Sequence, residues 1–209
     1  MTEKCISILI GYLCGCFLTA EAVAGGFSGK SAAELGDTGN PGMANIMASL
    51  GFLPGILTLL GDIGKCILAV VLSRVLFGDQ GWIVTLYAGL GCTLGHDFPF
   101  WRRFKGGKGV ATTSAATILY AFLPGLIANL IGMLTVLFTK YLCIGGPVIP
   151  VCFALFMLIG GDFEAAAIGG ILSLLAFYAH GSSILGIRKG QTKQTDVLGK
   201  LTKHTKTQD

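Results

Sequence analysis

Long apolar runs, separated by short glycine-rich or basic segments, dominate the chain. Their lengths predict membrane-spanning helices at about 5–25, 53–77, 81–97, 109–122, 124–139, 142–160 and 164–180. The second run carries Asp62, Lys65 and Arg74 within it, which blurs its ends. The fourth and fifth are short and meet at Pro124-Gly125, so one kinked helix is the alternative to two. Gly11-x-x-x-Gly15, Gly51-x-x-x-Gly55 and Gly91-x-x-x-Gly95 read as close helix packing. The expected architecture is all-α: a polytopic membrane helix bundle of about seven transmembrane helices. One domain covers residues 1–190. A polar, mobile tail over 191–209 follows it and could rest on anionic lipid.

Composition supports the membrane reading. Only 12% of the 209 residues are charged, 53% are hydrophobic and the mean hydropathy is +0.74. A soluble domain carries about 25% charged residues. The net charge of +4 comes mostly from loops and tail, and the 10% aromatic content lacks an exposed basic platform. No nucleic-acid partner is therefore expected. The seven cysteines are odd in number, include no Cys-x-x-Cys and mostly lie in apolar runs. They read as small buried hydrophobes. His96, His180 and His204 are too dispersed to argue for a metal. Lys4, the run from Cys5 to Leu18 and Ala22-Val23-Ala24 could form a cleaved secretory signal, but a retained first span is the simpler reading.

Charge then orients the bundle. With seven spans, three loops and the tail share one face. That face holds Lys30, Arg102, Arg103, Lys105, Lys108, Lys140 and every basic residue from Arg188 onward, 12 of the 15 in the chain. Positive charge marks the cytoplasmic side. The C-terminus is thus expected in the cytoplasm and the N-terminus outside.

Three unusual segments fall on that cytoplasmic face. The first, Gly36-Asp37-Thr38-Gly39-Asn40-Pro41-Gly42-Met43-Ala44-Asn45, is a tight polar turn leading into a helix. Its asparagine amides can donate to a phosphate or hydroxyl, and a helix N-terminus favours anions. The second is Phe104-Lys105-Gly106-Gly107-Lys108-Gly109-Val110-Ala111-Thr112. Setting topology needs no glycines beside the lysines, so this loop reads as an anion site. Backbone N–H groups and lysine charge would wrap a phosphate, with hydroxyls from Thr112 and Thr113 close by. Arg102 and Arg103 read as topology-setting charges. The Gly-x-x-x-x-Gly-Lys-Ser/Thr spacing of a nucleotide-binding loop is missing, which argues against an ATPase. The third segment is His180-Gly181-Ser182-Ser183, followed by Arg188-Lys189-Gly190. His180 ends the last predicted span, where an imidazole could bind phosphate or act as a base.

In this order the segments resemble the acylphosphate-dependent glycerol-3-phosphate acyltransferases of bacterial membranes, the PlsY family. Residues 95–112 reproduce almost whole the family's Gly-His-x-Phe-Pro … Phe-Lys-Gly-Gly-Lys-Gly-Val-Ala-Thr. Asp37 to Asn45 look like its Gly-Ser-Gly-Asn-x-Gly-Ala-Thr-Asn, and Asp62-x-x-Lys65 matches a further pattern. Of the motif His-x-x-Asn-Ile-x-Arg-Leu-x-x-Gly, only His180, Ile184 and Gly190 survive. The likeness covers about residues 5–192. It implies acyl transfer from acyl phosphate to the 1-hydroxyl of glycerol 3-phosphate, in the cell (inner) membrane of a bacterium. The products would be lysophosphatidic acid and phosphate. No metal or cofactor is implied. The implied partners are the two substrates, membrane lipid and other phospholipid-synthesis enzymes.

The likeness assigns Thr38, Gly39, Asn40, Asn45, Lys105, Gly106, Gly107, Gly109, Thr112, Cys143 and Ser183 to substrate binding. Lys108 would stabilise the oxyanion and the leaving phosphate. The proton acceptor stays open among His180, His96 and a phosphate oxygen of the substrate. Cys143 stands where the family has Ser, without an obvious base beside it. Departures cluster elsewhere too: Ala48 and Gly186 replace arginines, Ser183 an asparagine and Thr192 a glutamate. Each lost arginine removes a charge-assisted clamp contributing about 1.5–3 kcal/mol. The alternative reading is a weakly active or non-catalytic paralogue that binds a phospholipid precursor or serves as a partner subunit. A transporter for a phosphorylated solute fits less well, because its polar groups should lie near the midplane between inverted repeats.

Overall fold

The computed structural model describes residues 1–36 and 39–195, and the described residues are helical with no strand. They form two compact units, 1–122 and 123–195. Among the described residues, five helical stretches are long and apolar enough to cross a membrane: Thr2–Ser28, Phe52–Gln80, Phe122–Thr139, Leu142–Ile159 and Phe163–Arg188.

In the first unit the expected first span is two helices, α1 (Thr2–Gly15) and α2 (Thr19–Ser28). Neither glycine nor proline breaks the chain at Cys16-Phe17-Leu18. Side chains from elsewhere take up the freed carbonyls: Trp101 Nε1 donates to the Cys16 oxygen at 2.8 Å and Lys65 Nζ to the Phe17 oxygen at 2.8 Å. Backbone polar groups inside a bilayer need such partners. A short helix, α3 (Met43–Leu50), and the long α4 (Phe52–Phe77) meet at Gly51, whose φ of +98° suits only glycine. Asp62 and Lys65 do not interrupt α4, because they neutralise each other one turn apart at 2.9 Å.

The third and fourth expected spans are shorter than the apolar pattern suggested. They form α5 (Val84–Asp97) and α6 (Val110–Tyr120). Pro99 stops α5, since the residue before a proline avoids the helical region. The boundary after α6 lies at the extended residue Ala121. Pro124-Gly125 instead sits in the first turn of α7 (Phe122–Thr139).

Two of the three glycine pairs build one crossing. A Cβ on Gly11 would strike the Ala88 carbonyl oxygen, and one on Gly15 the Cys92 oxygen. From the other side, a Cβ on Gly91 would strike the Ile8 oxygen and one on Gly95 the Tyr12 oxygen. The partner numbers rise together, so α1 and α5 run in the same direction at backbone contact. Polar groups gather inside this unit, where Thr58, Asp62, Lys65, Thr85, Thr93, His96, Asp97, Thr112 and Thr117 are buried. Leu53, Leu60, Val75 and Leu76 are exposed on α4. A bundle whose outer face meets lipid has this distribution.

The second unit holds the rest of α7, with α8 (Leu142–Ile159) and α9 (Phe163–Arg188). Gly132 on α7 lies against Gly145 on α8, and Gly169 on α9 against Ala154 on α8. Asp162 caps α9 by accepting from the Ala165 N–H at 3.1 Å. This helix continues well past residue 180, so His180 lies inside it rather than at its end. The chain then folds back. Thr192 Oγ1 donates to the Ser183 oxygen at 2.6 Å and the Thr195 N–H to the Lys140 oxygen at 2.7 Å. Residues 191–195, expected to be tail, are therefore tied down, and the remainder of the expected tail lies outside the described residues.

Gly11→Leu is expected to destabilise the purified protein by about 3 kcal/mol, because the added volume has no room. A Cβ on Gly170 meets nothing within 4 Å, so Gly170→Leu should stay within about 0.5 kcal/mol of wild type. Thermal unfolding in detergent compares the two, and equal losses would contradict the α1–α5 crossing.

Candidate active site

The glycine loop is closed onto the end of α5 by its own backbone. The Gly106 N–H donates to the Asp97 oxygen at 2.9 Å and the Gly107 N–H to the His96 oxygen at 2.9 Å. A Cβ on Gly107 would fall on His96 Nε2, and one on Gly106 on the His96 carbonyl oxygen. These two glycines are thus present for close approach, and their N–H groups are spent inside the protein. This corrects the expectation that residues 106–109 together wrap an anion.

The start of α6 is arranged differently. Its first internal bond is Thr113 N–H to the Gly109 oxygen at 2.9 Å. The N–H groups of Val110, Ala111 and Thr112 precede that bond and lack carbonyl partners within the helix. Gly109 holds φ +63°, which turns the chain into the helix. Lys108 beside it is half-buried and Lys105 is exposed. The Thr112 hydroxyl does not reach outward. It is buried, donates to the Gly109 oxygen at 3.0 Å and lies 3.0 Å from Thr93 Oγ1. Beneath the same turn sits the buried Asp97 carboxylate, with no hydrogen-bond partner on either oxygen among the described residues. A Cβ on Gly109 would lie 3.0 Å from Asp97 Oδ1.

The loop from 98 to 109 is anchored on α1 and α2. Tyr12 Oη donates to the Phe98 oxygen at 2.9 Å, alongside the Trp101 bond to Cys16. Arg102 is more than a topology charge, since it pairs with Glu21 Oε1 at 2.9 Å. The other oxygen of Glu21 accepts from Ser31 Oγ at 2.9 Å and the Ala32 N–H at 3.0 Å. Glu21 therefore joins the second motif to the turn that precedes the first. Arg103 and Phe104 follow at φ +53° and +58°, uncommon values for residues with side chains.

In the first motif, Asn45 is buried and donates its amide to the Leu35 oxygen at 3.0 Å and the Ala32 oxygen at 3.4 Å. It organises the turn instead of standing ready as a ligand. Gly39 has φ +56° and packs on the Ala33 carbonyl, while Asn40 is half-buried next to Gly42. Thr38 lies outside the described residues.

A buried cluster supports the loop from below. Lys65 Nζ lies 2.9 Å from Asp62 Oδ1 and 2.8 Å from His96 Nδ1, and donates to the Phe17 oxygen. Sequence reasoning noted Asp62 and Lys65 without a role. Two charges one turn apart in an apolar run were the signal that could have found them.

The third segment belongs to the second unit. His180 and Cys143 are buried, the latter in the first turn of α8, and Ser183 is half-buried. A Cβ on Gly186 would come within 2.6 Å of Thr192 Oγ1. The two departures from the family pattern therefore occur in contact, and a larger side chain at 186 would dislodge the returning segment.

The glycerol-3-phosphate acyltransferase family model matches residues 5–190. The chain is 37% identical over 196 residues to glycerol-3-phosphate acyltransferase 1 of Lactobacillus johnsonii, covering 94% of each. It is 32% identical over 154 residues to the glycerol-3-phosphate acyltransferase of Carboxydothermus hydrogenoformans, 73% of this chain and 77% of that one. The solved structure of PlsY (YgiH), an integral membrane glycerol 3-phosphate acyltransferase in its glycerol 3-phosphate form, is also similar. The TM-score is 0.82 at 25% identity, over 95% of this chain and 98% of that one.

Glu21 and Arg102 should be energetically coupled. Thermal unfolding of Glu21→Gln, Arg102→Ala and the double variant is expected to give a coupling of about 1 kcal/mol. Strict additivity would show that the pair does not hold the loop.

Proposed function

We propose, for a chain that belongs to the glycerol-3-phosphate acyltransferase family, transfer of a fatty acyl group from acyl phosphate to the 1-hydroxyl of glycerol 3-phosphate. The products are lysophosphatidic acid and inorganic phosphate. The observation that carries the reading is the start of α6, where N–H groups without helical partners stand beside Lys108 on a loop locked to α5.

The phosphate of glycerol 3-phosphate is held by the N–H groups at Val110 and Ala111, with charge from Lys108 and the exposed Lys105. Asn40 contributes polar contacts from the first motif. The acceptor hydroxyl attacks the acyl carbonyl, and Lys108 stabilises the oxyanion. The carbon–oxygen bond to phosphate then breaks. The hydroxyl proton passes to a phosphate oxygen, so phosphate leaves as the hydrogen phosphate ion. Acyl phosphate is already activated, and the protein supplies position and charge instead of a covalent nucleophile. His96 does not serve as the base, because Lys65 occupies its Nδ1. Cys143 and Ser183 are carried as further substrate contacts, and His180 as an alternative base, by the family likeness alone.

We assign the protein to the bacterial cell membrane, with seven crossings and the active site on the cytoplasmic face. The basic loops support this orientation. The common direction of α1 and α5 supports the count, since it requires one return crossing between them, which α4 is long enough to make.

Purified protein in detergent, given palmitoyl phosphate and glycerol 3-phosphate, is expected to form lysophosphatidic acid and release phosphate. Lys108→Ala should lower the rate by about 100-fold or more, on the scale of losing an oxyanion donor. Cys143→Ser should keep or raise it. Absence of product from folded wild type would replace this reading with the non-catalytic one.

A further inference from the structure

We infer that Lys65 is a positioning residue for acyl transfer: its ammonium fixes His96 as the neutral Nε2–H tautomer and so secures the glycine loop. The inference rests on the acyltransferase reading above.

An ammonium has three N–H donors and accepts nothing. Lys65 Nζ, almost wholly buried, donates to the Phe17 oxygen at 2.8 Å, lies 2.8 Å from His96 Nδ1 and forms an ion pair with Asp62 Oδ1 at 2.9 Å. His96 Nδ1 is therefore the acceptor in its contact. A neutral imidazole with Nδ1 accepting carries its proton on Nε2. A protonated ring would set two cations against each other at 2.8 Å.

The charges balance. Asp62 offsets Lys65, and the ring beside them is neutral. Asp62 Oδ1 lies 3.7 Å from His96 Nδ1, beyond hydrogen-bond range, so Lys65 rather than Asp62 orients the ring.

The consequence reaches the loop through Gly107. His96 Nε2 lies where a Gly107 Cβ would be, and the His96 carbonyl accepts the Gly107 N–H. Ring and backbone of one histidine thus grip the residue before Lys108. Burying an ion pair within a membrane helix is costly, and an apolar pair at 62 and 65 would pack without that cost. Setting the ring of His96 gives the pair a use.

The test is nitrogen NMR of the purified full chain carrying 15N-histidine. The sequence has three histidines, so His96 can be assigned after replacing His180 and His204 in turn. The expected wild-type spectrum shows His96 neutral, with Nε2 protonated and Nδ1 bare, at about pH 7. Lys65→Met should lose this single tautomer and lower kcat about tenfold or more, with KM changing less. A wild-type His96 protonated on Nδ1 or on both nitrogens would overturn the inference. So would a Lys65→Met variant that keeps both the tautomer and wild-type kcat. If Lys65→Met does not fold, the wild-type spectrum decides alone. An inactive wild type with the expected tautomer would count against the acyltransferase reading, whereas an active one with the wrong tautomer would sink only this inference.

Discussion

A lysine ammonium inside an apolar bundle needs an acceptor for each of its protons, and in the first unit that need organises everything near the site. Lys65 takes its partners from three places: an ion pair with Asp62 on its own helix, an acceptor in the broken first span and another at the end of α5. The break after α1 and the orientation of His96 are two sides of one constraint. A continuous first helix would keep the Phe17 carbonyl in its own ladder and leave the ammonium one acceptor short. With it in place, α1, α4 and α5 share a buried polar centre that fixes the loop above it.

Glycine supplies the second half of the design. At Gly11, Gly15, Gly91 and Gly95 the backbones of α1 and α5 touch, which brings the Cys16–Phe17 carbonyls within reach of Trp101 and Lys65. At Gly106 and Gly107 the same economy of volume seats the loop on His96. What faces outward is the start of α6 with Lys108. In the proposed reaction, phosphate recognition there draws on backbone N–H groups with Lys108 and Lys105, and Gly186 lies against the returning Thr192.

Much of this was legible in the sequence because it depends on short-range rules. The apolar runs marked helices, since bilayer thickness sets their length. Two of the three glycine pairs marked one crossing, and in the third Gly51 joins α3 to α4 while Gly55 packs on Met47 of α3. Other features were hidden because they depend on distant partners. No local residue announces the break at Cys16–Leu18. Arg102 looked like any cytoplasmic arginine until Glu21 stood beside it. The use of the Gly106 and Gly107 N–H groups cannot be read from glycine content. His180 was misplaced because the apolar run ends near it, whereas the helix continues by hydrogen bonding through the polar stretch to Arg188. Asn45 and Thr112 had the right chemistry for ligands, but the fold turned both inward.

The central claim is that acceptor phosphate is held at the start of α6 with Lys108, without the two family arginines. Isothermal titration of the purified wild type and Lys108→Ala with glycerol 3-phosphate, in the absence of any acyl donor, tests it most directly. The account predicts saturable binding by wild type that Lys108→Ala loses. No binding by folded wild type, or equal binding by both proteins, would contradict it.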